Sequence, residues 1–190
     1  MIVRHGGLRK TGLSKVCALC LVLLAYFCLP AAAVEYSEKP SVVKSAFEIG
    51  AHFYDYQNYH GVPYFHGGLD ICADAGTEVF TPVAGQAEIF DYKITASAEP
   101  HVFSYSRQKF RRGDVSRTRY LEVAITTSEG HKWMFRHIDP ATVPDHIFRA
   151  AERKAAVPAG STVGRIARWL QPVLPEKRLY NHVHLEILDA

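Results

Sequence analysis

The sequence holds no pair of cysteines that an exported domain could keep. Of its four cysteines, Cys17, Cys20 and Cys28 fall in the first 33 residues, leaving Cys72 alone beyond them. An intrachain disulfide is excluded once that segment is removed, and Cys72 reads as a small buried apolar side chain. Acidic residues are missing from the same segment. It carries Arg4, Arg9, Lys10 and Lys15, then the apolar run from Val16 to Pro30, then Ala31-Ala32-Ala33. Beyond it there is no internal repeat, low-complexity tract or heptad pattern, so neither a repeat array nor a coiled coil is expected.

A basic stretch, a short apolar run and a small-residue site in that order make residues 1–33 a secretory signal peptide. The run is shorter than the roughly 20 apolar residues that cross a bilayer, so no stable membrane span is expected after cleavage. The expected location is the periplasm, the cell envelope or the medium. The signal also accounts for the basic character of the chain. The formal charge of +3 rests on 22 basic and 19 acidic residues; without the four basic residues of the signal, 18 stand against 19. Net charge then gives no argument for nucleic-acid binding. Residues 34–45 read as a short polar leader, and 46–190 as one domain of ordinary size.

Strand formers punctuated by turn residues dominate that domain. Strands are expected over Glu78–Val83, Gln86–Tyr92, Tyr120–Thr127, His131–His137 and Asn181–Ile187, with a hairpin turn at Ser128-Glu129-Gly130. Only Asp145–Ala156 has helical spacing, with Ile147, Phe148, Ala151 and Ala155 on one face and Pro144 suited to the amino terminus. The fold class is mainly β, antiparallel, with one short helix. Thr95–Arg119, rich in arginine, reads as a long solvated loop with a basic surface suited to an anionic polymer. Tyr54, Tyr56, Tyr59 and Tyr64 read as core or groove wall, and Asp139 before Pro140 as a turn cap.

Two short patterns carry chemistry: His66-Gly-Gly-Leu-Asp70 and His182-Val-His184. Either spacing alone arises easily by chance. Residues two apart on a strand share a face, so His182 and His184 point the same way. Imidazole is the commonest metal ligand, and a catalytic zinc takes about three protein ligands from His, Asp and Glu, leaving a position for water. His66, Asp70 and one histidine of the pair supply such a set. His137, at the end of a hairpin strand, is available for acid-base work.

The ordered segments H-G-G-L-D-I (66–71), G-T-E-V (76–79), F-R-H-I (135–138), V-P-A-G-S-T-V-G (157–164) and H-V-H-L-E-I (182–187) resemble the lysostaphin or LytM-type zinc metallopeptidases. The resemblance covers Phe65 to Ile187. It implies a compact antiparallel β-sheet or open barrel-like sandwich with the metal at the floor of a groove. It further implies that one zinc ion is held by His66, Asp70 and His184, with His137 and His182 as the catalytic pair of an endopeptidase acting on peptidoglycan cross-links or stems. Arg136 departs from the commonly small residue of that family and is expected to narrow the groove or bind a stem-peptide carboxylate. No separate wall-binding module is expected within residues 34–190, which leaves targeting to the domain itself, a protein partner or confinement in a periplasm. The competing expectations are a non-catalytic relative that activates another wall hydrolase, and a metal protein whose site is closed by both histidines of the H-x-H.

Overall fold

The β-rich periodicity is realised as one large antiparallel sheet with small hairpins around it. The computed structural model describes residues 41–59, 62–96, 103–170, 172–173 and 178–190. Its strands are β1 (Glu48–Ala51), β2 (Tyr56–Tyr59), β3 (Val62–Phe65), β4 (Leu69–Cys72), β5 (Glu78–Phe80), β6 (Gly85–Ala96), β7 (Phe103–Lys109), β8 (Leu121–Thr126), β9 (Lys132–Ile138), β10 (Ala156–Val157), β11 (Thr162–Arg165), β12 (Pro172–Val173), β13 (Arg178–Leu179) and β14 (His182–Leu188). The main sheet runs β1-β4-β14-β9-β8-β6-β10, with β7 also paired to β6. It stays open, and β2–β3, β5–β11 and β12–β13 form separate two-stranded ribbons.

Alternation along the central strands separates two chemistries. On one face Ile71, Val183, Leu185, Phe135, Val123, Ile125 and Ile89 join the main core. Each such side chain, once buried, contributes about 1.5–3 kcal/mol. Helix α1 (Asp145–Arg153) closes that core with Ile147, Phe148 and Ala150. It ends earlier than its apolar spacing suggests because Lys154 turns into the left-handed region and its N–H caps the Ala150 carbonyl. The opposite face carries Asp70, His182 and His184, all buried. β14 lies between β4 and β9, with His184 opposite Asp70 on one side and opposite Arg136 on the other.

The β8–β9 hairpin turns through Gly130, whose φ of +93° suits glycine. Farther along, Val123 pairs with Phe135 and Leu121 with Ile138. One residue, Glu122, therefore faces two, Arg136 and His137. This β-bulge lets Phe135 and Ile138 both enter the core, and turns two consecutive polar residues away from it. His137 takes the strain, with φ +64°, a conformation that costs about 1–3 kcal/mol outside glycine. It is clamped from the following segment: Ala167 N–H donates to the His137 carbonyl at 3.0 Å, and Ile138 bridges Ile166.

The stretch Thr95–Arg119 is not one long loop, because β6 runs on to Ala96 and β7 pairs with it. The strand lacks an apolar signature at Arg107 and Lys109, whose long side chains meet acids. Arg107 bonds to the fully buried Glu122 and lies 3.9 Å above the Phe90 ring, and Lys109 sits 3.3 Å from Glu88. Beyond β7, Arg112 pairs with Asp145 at 2.9 Å and Arg117 with Asp91 at 3.7 Å, so much of the basic charge is matched. The segment read as a leader already belongs to the fold at its end: Val42 and Val43 are in the core, and the Val42 carbonyl accepts from Phe80 N–H at 2.8 Å. Tyr54 and Tyr56 are exposed rather than core, and they flank exposed Phe65. Asp139 does cap its turn, its Oδ1 accepting from Ala141 N–H at 2.9 Å. Cys72 is buried. The signal segment lies outside the described residues.

Candidate metal centre

Three side chains from two separate patterns converge on one point. His66, just after β3, presents Nε2 at 3.0 Å from His184 Nδ1 and 3.1 Å from Asp70 Oδ1. His184 Nδ1 is 2.8 Å from the same Asp70 oxygen. The three atoms form a nearly equilateral triangle. Metal–nitrogen bonds of about 2.0–2.1 Å in a tetrahedral site require ligand atoms about 3.3 Å apart, so a few tenths of an ångström of spreading seats an ion.

Hydrogen bonds behind the rings decide which nitrogens are free. His66 Nδ1 donates to the His52 carbonyl at 3.0 Å, and His184 Nε2 donates to Glu186 Oε1 at 3.0 Å. In each ring the other nitrogen, His66 Nε2 or His184 Nδ1, is the one that can lose its proton and face the Asp70 oxygen as a metal ligand. With both nitrogens deprotonated, two lone pairs would face across 3.0 Å beside a carboxylate, an arrangement that a cation between them relieves. His66, Asp70 and His184 can accordingly hold a metal ion. The charge distribution agrees. Burial pushes the Asp70 carboxyl up, but bonds from His184 and His66 outweigh it and hold it well below the usual carboxylate range. Burial pushes His184 down, but Asp70 and Glu186 together raise it, so this position favours positive charge.

The spacing H-G-G-L-D is also explained by contact. A Cβ at Gly68 would lie 2.4 Å from the Leu185 carbonyl oxygen and 2.8 Å from His184 Nε2, whereas one at Gly67 would meet Glu186 Oε1 at 3.2 Å. Gly68→Ala is expected to lower metal affinity by at least the roughly tenfold that disturbed ligand support costs, and Gly67→Ala by much less. Titration against a chromophoric chelator measures both; equal affinities in the two variants would count against this packing role.

Beside the triangle stand His182 and His137, their ring centres 4.5 Å apart. His182 Nδ1 donates to the Tyr180 carbonyl at 2.8 Å, leaving Nε2 as a lone pair 3.7 Å from Asp70 Oδ1. The bulge swings His137 to the same face, where its Nδ1 is 2.7 Å from the Tyr92 hydroxyl. Burial raises the Tyr92 pKa, so the phenol stays protonated and can donate to Nδ1. With that bond made by the phenol, Nε2–H is the free donor of His137. Burial, reinforced by His182 and His184, holds His137 well below its ordinary pKa, and burial lowers His182 against the pull of Asp70. One ring is thus arranged as an acceptor and the other as a donor.

All five residues singled out from the sequence are brought together: His66, Asp70 and His184 in the triangle, His137 and His182 alongside. Other residues were missed. Tyr180 Oη donates to Asp70 Oδ2 at 3.0 Å, and burial, then the charge of Asp70, raises its pKa and keeps it protonated. Trp169 packs 5.2 Å from both His137 and His182 and stacks on Tyr120 at 5.4 Å. Tyr180 and Glu186 had a signal, since they continue the two-residue alternation of His182 and His184. Trp169 and Tyr92 had none nearby in sequence. His52, with no motif around it, contributes only its carbonyl. Arg136 does not project into a groove; it is buried between Glu122 and Glu186, a correction that follows from the bulge.

Comparison with protein-family models, curated proteins and solved structures returns no match. Among the described residues, no helix is long and apolar enough to cross a membrane.

Proposed function

We propose that this chain is an exported zinc-dependent endopeptidase that hydrolyses peptide bonds in the cross-links or stems of bacterial peptidoglycan. The observation that carries the reading is the juxtaposition of the His66–Asp70–His184 triangle with two further imidazoles of opposite hydrogen-bonding sense. A site that only stored or structured a metal would have no use for a donor and an acceptor held neutral beside it. The lysostaphin or LytM-type resemblance supplies the substrate class and places the same five residues in these roles.

His66 Nε2, Asp70 Oδ1 and His184 Nδ1 would hold the ion, and zinc suits their mixed nitrogen and oxygen donors. Zinc supplies Lewis acidity toward a carbonyl oxygen and acidifies water. The remaining chemistry belongs to the chain. His182 Nε2 accepts the proton of the attacking water and returns it to the departing amine. His137 Nε2–H donates to the oxyanion as it develops, with Tyr92 fixing its tautomer. Trp169 and Tyr120 form an apolar wall beside both rings and limit access of bulk water.

The test is mass spectrometry of fragments released from purified peptidoglycan by the zinc-loaded protein. New peptide termini, with the bond they identify, are the expected result. Absence of release by a protein that binds zinc would overturn the enzymatic reading and leave an activator of another wall hydrolase as the one to examine.

A further inference from the structure

His184 is held from behind by a run of buried charges that crosses three strands. Its Nε2 donates to Glu186 Oε1 at 3.0 Å. Glu186 is ion-paired with Arg136 Nη1, whose Nε donates to Glu122 Oε2 at 2.9 Å. Glu122 in turn accepts from Arg107. The Glu122 side chain is 0% exposed, that of Arg136 6% and that of Glu186 11%. Taking such ions out of water costs several kcal/mol each, and well-packed apolar residues of similar size are often as stable or more so. Stability therefore gives a weak reason for charges here. Geometry gives a stronger one: the planar guanidinium of Arg136 contacts a carboxylate through each of two nitrogens, fixing Glu186 relative to the centre of the sheet.

We infer that Glu186, anchored by Arg136 and Glu122, is a positioning residue that fixes the ring plane and tautomer of His184, so that Nδ1 rather than Nε2 is presented to the metal. This rests on the metal-site reading above and assigns Arg136 to the support of a ligand rather than to substrate. Two details of the fold serve the arrangement. The bulge at Arg136 and His137 puts the guanidinium on the site face together with the catalytic imidazole. Gly67 and Gly68 let the chain pass over the His184–Glu186 contact without a side chain, since a Cβ at Gly68 would lie 2.9 Å from Glu186 Cγ.

The experiment compares zinc affinity of the full chain with that of Glu186→Gln and Arg136→Met, by competition with a chelator of known affinity. Glu186→Gln should bind zinc 10–100-fold more weakly, and Arg136→Met should shift affinity in the same direction by less, because Glu186 remains but is no longer anchored. Both variants binding as tightly as the wild type would overturn the inference. Should either variant fail to fold, nitrogen chemical shifts of the His184 ring in the zinc-loaded wild type decide it. A protonated Nε2 with a metal-bound Nδ1 is expected, and the reverse would refute the assignment. A wild type with no zinc affinity would remove this inference and the metal site together, whereas normal affinity without peptidoglycan cleavage would remove only the enzymatic reading.

Discussion

Asp70→Asn is expected to cost the protein its metal ion and, with it, all peptidoglycan hydrolysis above background. Asp70 contributes the only full negative charge in the triangle, and it lies 3.1 Å and 2.8 Å from the two ligand nitrogens. Asparagine has nearly the same shape but leaves the cation without its counter-charge in a buried site. The loss should exceed the 10–100-fold that removal of a supporting residue produces. Thermal melting gives a readout independent of activity. An ion present at a thousand times its dissociation constant stabilises the folded state by about 4 kcal/mol, which for a domain of this size raises Tm by roughly 8–16 °C. Added zinc should give that increment in the wild type and little or none in Asp70→Asn. The same increment in both would show that the ion binds elsewhere.

His182→Ala should separate chemistry from binding. Its Nε2 is 3.7 Å from Asp70 Oδ1, outside the triangle, and its Nδ1 is spent on the Tyr180 carbonyl. Removing it takes away the proton acceptor but none of the three ligands. The rate of peptide-bond hydrolysis should fall by about 10²–10⁴-fold, the range for loss of a general base, while zinc stoichiometry and the zinc-induced rise in Tm persist. Initial rates on a soluble cross-linked stem peptide, measured beside metal content, check both halves. If His182→Ala and His184→Ala lose zinc equally, His182 is a fourth ligand, and the site is closed and structural rather than catalytic.

The parts of this arrangement that were readable in the sequence are those written in local periodicity. The alternation of His182 and His184 on a strand, the helical face of Ile147 and Phe148, and the turn at Ser128–Gly130 depend on neighbours within a few positions. What could not be read depends on a change of register or on distant partners. Nothing in Phe135-Arg136-His137-Ile138 announces that two consecutive residues turn away from the core; the signal is a mismatch with β8, fourteen residues earlier in the case of Glu122 and Arg136. The same mismatch explains why Arg136 was expected at the substrate and is found behind a ligand. β7 was hidden because Arg107 and Lys109 meet Glu122 and Glu88 rather than apolar neighbours. Tyr54 and Tyr56 were expected as core or groove wall because aromatic rings bury large areas, but β2 and β3 form a separate ribbon that leaves them exposed and out of the core. Tyr180 and Glu186 were legible in principle. The alternation that paired His182 with His184 extends to both, and stopping at the histidines left their hydrogen-bonding role unread.

The place of β14 between β4 and β9 also governs the order in which the protein can assemble. Asp70 and His184 are 114 residues apart and His66 and His184 are 118 apart, so closing the site means closing a loop that spans most of the described chain. Such contacts come at a high entropic cost and belong to slow-folding, high-contact-order topologies. Before β14 docks, β4 and β9 each lack a neighbour and present unpaired backbone edges, the kind that recruit other chains. A metal ion cannot nucleate this process, because its ligands do not meet until the central strand has been inserted. An ion held there would act instead as a latch on the last long-range step, slowing the departure of the strand on which the rest of the sheet depends.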